Sequence, residues 1–138
     1  MWYRNSGWLL IIIATIHNLL GVVLGWEVLR GMAEAGFWNT VEQNGQIDFA
    51  RSSILWFLML GIFWWVLGVL MQQWLNRIGT LPQWLGYALL AAGCVVAFVL
   101  PQSGAWFFMP LGLLVAYGGK TAELKLNKRL QYYENAER

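Results

Sequence analysis

One histidine, one asparagine and one glutamate interrupt an otherwise apolar run, IHNLLGVVLGWE at residues 16–27. His17 is the sole histidine of the chain. In such a setting an imidazole can handle a proton, ligate haem iron or anchor a ligand. It can equally stay neutral, donate one hydrogen bond to a neighbouring helix and specify packing. A relay needs a second ionisable group at the same depth, and the sequence places none there. Bis-histidine haem would need His17 from a second copy of the chain. Asn18 is expected to act as glue between helices. Glu27 and Arg30 stand three residues apart on one helical face, and Asp48 and Arg51 repeat the spacing. These four form either an ion-pair cluster or the rim of a polar pocket. With Trp26, Asn39, Trp106 and His17 they make the candidate ligand-binding set.

Other constellations are missing. No carboxylate pair at depth, Gly-x-Ser-x-Gly elbow, phosphate loop or His/Glu metal motif is present, so catalysis is not expected. Cys94 is alone and forms no intrachain disulfide or Cys-x-x-Cys site. A net charge of +2 without a basic stripe excludes nucleic acid as a partner.

The elements that must position these residues are set by the solvent. Of 138 residues 59% are apolar and 12% charged, about half the charge usual for a soluble domain. The lipid bilayer is therefore the expected partner. Four runs are long enough to cross, at about residues 7–29, 53–75, 84–100 and 105–119, and in lipid each must be a helix. Arg4, Arg77, Lys120, Lys125, Lys128, Arg129 and Arg138 flank one side, against Arg30 and Arg51 on the other. Both termini are thus expected in the cytoplasm. His17 lies nine residues from both Trp8 and Trp26, about 13–14 Å from each boundary, which is the midplane.

Small residues supply the packing faces. Asn18, Gly21 and Gly25 share one face of helix one, and Gly61 with Gly68, and Gly86 with Gly93, recur at seven-residue spacing. Close backbone approach at these positions predicts an all-α, integral membrane four-helix bundle. The connection 30–52 is expected to prolong helix one to a C-cap at Gly36. A short second helix follows, started by a Thr40/Gln43 capping box and stopped at Gly45. Phe37, Trp38, Val41, Ile47 and Phe49 give this outer loop an apolar side, as in a lid over the bundle mouth. After residue 119 a basic helical extension follows, with Leu124, Leu126 and Leu130 among lysines and an arginine, either interfacial or solvated.

The segments HNLLGVVLGWEVLRG, GFWNTVE, RSSILWFLMLG and PQSGAWFFMP resemble an uncharacterised bacterial family of small four-helix membrane proteins, a domain-of-unknown-function family. The architecture is also similar to that of DoxX-type proteins, by fold analogy alone. The resemblance runs to about Gly119 and implies a bacterial inner membrane. It marks His17, Gly25, Trp26, Glu27, Asn39, Arg51, Pro101, Ser103, Gly104, Trp106 and Pro110 as family positions, and implies no activity.

Three functions remain as expectations, ahead of a fourth, enzymatic activity in the membrane, which lacks a second catalytic group. The first is a non-enzymatic membrane protein binding a small apolar or amphipathic ligand, or a membrane partner, at its outward mouth with His17 at the floor. A haem or redox protein using His17 is the second, and a small proton-coupled transporter the third. A homo-oligomer is compatible with each.

Overall fold

In apolar runs of this length the backbone can satisfy its own hydrogen bonds only as helix. The computed structural model describes residues 2–43 and 45–136. A 3-10 turn Trp2–Asn5 leads into α1 (Ser6–Leu24) and α2 (Trp26–Glu34), and strands β1 (Glu42–Gln43) and β2 (Gln46–Ile47) follow. Then come α3 (Phe49–Ile78), α4 (Gln83–Val99), a second 3-10 turn (Gly104–Phe107) and α5 (Phe108–Ala136). Among the described residues the chain is all-α apart from one hairpin of two-residue strands. Two stretches, Trp2–Leu24 and Phe49–Ile78, are long and apolar enough to cross a membrane, and α4 is a shorter apolar helix. Arg138 and the side chains of Gln43, Leu126 and Leu130 lie outside what is described.

Two compact units divide the chain, one of residues 11–67 and one of residues 1–10 with 68–138. In the unit of 11–67, α1 and α3 run antiparallel with a constant register. A Cβ on Gly61 would strike the Asn18 amide, one on Gly21 would come within 2.7 Å of the Phe57 ring, and one on Gly25 would strike Ile54. Seven residues along α1, from Asn18 to Gly25, match seven back along α3, from Gly61 to Ile54, and glycine is needed at each crossing because a side chain already fills the space.

The other unit packs differently. A Cβ on Gly86 would meet the backbone of Ala116, and one on Gly112 would lie 2.6 Å from the Leu90 nitrogen. Here α4 and α5 touch main chain to main chain, the closest approach that helices allow. Leu89, Phe108, Leu111, Val115 and Ala116 are buried around this seam. The Tyr3 hydroxyl accepts from the Leu81 amide at 2.7 Å, and Gln72 Nε2 donates to the Arg4 carbonyl at 3.0 Å. Those bonds tie residues 1–10 to the rest of their unit.

Several expectations need correction. Thr40 and Gln43 do not open a helix. The Thr40 hydroxyl donates back to the Phe37 carbonyl at 3.4 Å, and residues 42–47 form a hairpin with Glu42 opposite Ile47. Positive φ at Gly36, Phe37, Asn39 and Gly45 breaks any helical path through this segment. Residues 105–107 lie in a 3-10 turn, so α5 starts at Phe108. Pro110 is its third residue, where a missing N–H costs nothing, and does not interrupt the helix. From there α5 runs unbroken to Ala136, so the basic extension prolongs the rod that precedes it.

Candidate functional site

All but one of the candidate residues fall in the unit of 11–67. At its centre His17 Nε2 lies 2.9 Å from the Phe57 carbonyl. A carbonyl can only accept, so Nε2 carries a proton and donates it to Phe57. The imidazole stacks on the Phe57 ring, centroids 3.8 Å apart and 15° between planes, and meets Trp64 at 4.7 Å in a tilted contact. Two aromatic rings and one carbonyl thus hold it. Neither Phe57 nor Trp64 was marked by sequence pattern, because a period-3.6 apolar helix offers no reason to prefer one aromatic over its neighbours.

Asn18 lies against the facing helix. It makes no hydrogen bond among the described residues, and its Oδ1 is buried without a partner. The amide instead fills the notch at Gly61, so it acts by shape.

Further along, Asp48 organises the entry to α3. Its Oδ1 accepts from the Ala50 and Arg51 amides at 3.0 and 3.1 Å, an N-cap arrangement. Its Oδ2 pairs with Arg51 Nε at 3.3 Å, with the Arg51 side chain only 18% exposed. Arg51 Nη1 also donates to the Thr40 carbonyl at 2.9 Å. One guanidinium therefore joins the start of α3 to the outer loop. Thr40 is buried and central to this knot, a role its place in an expected capping box concealed.

Glu27 and Arg30 are not brought together. Arg30 pairs with Glu34 at 3.1 Å, both side chains largely exposed, because the i,i+4 partner lies ahead on the same face as Glu27 lies behind. Glu27 is exposed and has no ion pair among the described residues. Asn39 is exposed with φ +50, and Trp26 is 57% exposed. Trp106 belongs to the other unit, where its Nε1 donates to the Pro101 carbonyl at 2.7 Å. It lines a groove there with Cys94, Ala97, Phe98, Pro101 and Met109.

A concave, apolar surface lies within the unit of 11–67. Gly21, Leu24, Gly25, Ala50, Ser53, Ile54 and Phe57 line a groove of about 260 Å³. The glycines hold α1 close to α3 and leave room beside the seam. His17 does not line it; Phe57, one face on the imidazole, forms part of the wall. Ser53 contributes its one side-chain hydroxyl. Such a surface can bind an aliphatic chain and has no group placed for bond breaking. No cluster of three or more His, Cys, Asp or Glu side chains suited to a metal occurs among the described residues.

A model described as a family of unknown function, DUF6463, matches residues 1–122. The chain belongs to that family. No curated protein and no solved structure matches it.

Proposed function

From membership of a family without an assigned activity, we propose that the chain is a multi-pass membrane protein of a bacterial inner membrane that binds the apolar tail of an amphiphile in the groove beside Gly21 and Gly25. The observation that supports the membrane setting is where the apolar side chains point. Leu24, Phe98, Val23 and Val99 are 70–88% exposed, and only 22% and 17% of the most apolar stretches of the two long helices are buried. A core helix of a soluble protein would bury most of that face. Lipid as solvent removes the contradiction. The crossings would be α1 with the start of α2, α3, α4 and the first half of α5, as a four-helix bundle. The excess of Lys and Arg beside Trp2, Trp74 and Trp84 favours cytoplasmic termini; the bacterial setting follows from the resemblance.

Ligand binding is supported by the groove and by its rim. The Asp48–Arg51–Thr40 knot is built on the same first turn of α3 that brings Ala50 to the groove, and the polar end of an amphiphile would emerge there. His17, with Nε2 engaged by Phe57, is assigned to pinning α1 on α3. The usual haem-ligating nitrogen would have to give up that bond, so the haem reading gains nothing from the geometry.

Filling the groove tests the proposal. Ala50 is exposed, so Ala50→Trp should occupy the space without disturbing the helix seam. Native mass spectrometry from mild detergent should show a lipid-mass adduct on the wild type and its loss in Ala50→Trp at unchanged melting temperature. Equal adduct on both proteins, or none on either, would overturn the groove reading. Release of the protein from membranes by carbonate without detergent would overturn the membrane reading.

A further inference from the structure

We infer that residues 36–39 form a rigid aromatic knob that docks a protein partner on the outer side, one offering an apolar pocket rimmed by lysine or arginine. Four observations lead there.

The backbone is strained in one place. Gly36, Phe37 and Asn39 have φ of +82, +61 and +50. For a bulky residue such as Phe37 that conformation is an outlier, kept only where its surroundings over-determine it. They do so here. The Gly36 amide donates to the Ala33 carbonyl at 2.9 Å, the Phe37 amide to Met32 at 2.9 Å and the Trp38 amide to Gly36 at 2.8 Å. The Thr40 hydroxyl donates to Phe37, and Arg51 holds the Thr40 carbonyl from the next element. Met32 and Thr40, either side of the turn, are buried.

That scaffold presents apolar surface outward. Trp38 is 91% exposed and Phe37 60%. A loop folded down as a lid would have buried them. Strained backbone, many constraints and a naked tryptophan together describe a surface already ordered for binding, which lowers the entropy lost on association. Tryptophan is also the residue most enriched at interface hot spots.

Depth places the knob at the outer edge of the headgroups, and this step rests on the membrane reading above. Met32 stands about 22 Å beyond His17 along the axis, and headgroups end roughly 20–22 Å from the midplane. The Phe37 amide bonds back to the Met32 carbonyl, which keeps the knob at that level.

Charge favours a basic partner. Between residues 26 and 51 stand Glu27, Glu34, Glu42 and Asp48 against Arg30 and Arg51. Both arginines are paired, and Glu27 lies about 10 Å below Glu34 on α2, which leaves Glu42 beside the turn exposed with no ion pair among the described residues. An acidic surround repels anionic lipid and attracts a lysine or arginine rim.

Cysteine protection is the test. With Cys94 replaced by serine, Ala35→Cys puts a lone thiol beside the knob on an exposed site. Its reaction with a membrane-impermeant maleimide is timed in membranes of the source cell and in nanodiscs of phosphatidylethanolamine and phosphatidylglycerol holding purified protein. Labelling in native membranes should be about tenfold slower than in nanodiscs, the scale of one hot-spot contact. Trp38→Ala or Glu42→Lys should restore the fast rate, as should high salt, while Trp38→Phe should keep the slow one. Equal fast rates in both settings overturn the proposal. Slow labelling in both means burial in the bilayer or against a second copy, and overturns it too. So does protection that survives Trp38→Ala. Carbonate extraction of the same membranes reports separately on whether the chain is embedded at all.

Discussion

Two halves of one chain solve helix packing in different ways. In the unit of residues 1–10 and 68–138, the α4–α5 seam brings glycine against main chain, Gly86 on Ala116 and Gly112 on Leu90, while Gly118 elsewhere in the unit meets the Tyr3 ring. In the unit of residues 11–67, glycine meets side chains: Gly61 on Asn18, Gly21 on Phe57, Gly25 on Ile54. Of the buried apolar residues among those described, Leu10, Met71, Leu75, Leu81, Leu89, Ala97, Ala105, Phe108, Leu111, Val115 and Ala116 belong to the first unit, and only Ile11, Ala14 and Met32 to the second. The second unit has instead the imidazole, the guanidinium knot, the apolar groove and the strained turn. Backbone-on-backbone contact leaves no room to move, whereas side-chain contact can adjust.

Substitutions can break or sharpen that contrast. The largest effect is expected from Gly112→Leu, because the Leu90 backbone cannot yield; a loss above about 4 kcal/mol should abolish accumulation in membranes. Gly21→Ala should cost only about 1–2 kcal/mol, since the Phe57 and Leu58 side chains can rotate away. Comparable losses from the two glycine variants, measured as unfolding in mixed micelles, would erase the distinction.

Arg51→Ala comes next. It strips the Thr40 carbonyl and the Asp48 carboxylate of a part-buried partner, for about 2–3 kcal/mol. Hydrogen exchange should quicken over residues 36–48 and stay unchanged in α4 and α5. Exchange that quickens everywhere would mean that the knot supports more than its own unit.

His17→Phe keeps a ring against Phe57 and removes one hydrogen bond, a loss of about 0.6–2 kcal/mol in lipid. Adduct retention in the groove should be unaffected. If ligand is lost while stability holds, His17 does more than pin two helices. Glu27→Gln should change stability by less than about 0.5 kcal/mol, as for a surface site without a partner. A larger drop in a thermal melt would reveal a contact for Glu27.

Much of the fold was legible because long apolar runs leave few choices. A long apolar run must be helical, and glycines spaced at four and seven mark where another helix comes close. The Asp48–Arg51 pair was legible from its i,i+3 spacing; the capping of α3 by the same carboxylate was not, since spacing says nothing of where a helix begins. Arg30 had Glu27 behind it and Glu34 ahead, and pattern alone could not choose. The turn at 36–39 was illegible for a different reason. Threonine followed three residues later by glutamine is a sound helix start, and only the left-handed backbone at Phe37 and Asn39 cancels it.

What the sequence determined by itself is the list of rods and their adhesive faces, because backbone hydrogen bonding in an apolar run and the absence of a side chain on glycine are local properties. Tertiary structure alone decided which carbonyl takes the proton of His17, which carboxylate Arg51 pins, and that Trp38 faces outward. Each of those depends on a partner tens of residues away or on a backbone angle that propensity does not favour, and long-range geometry selects among contacts that are locally equivalent.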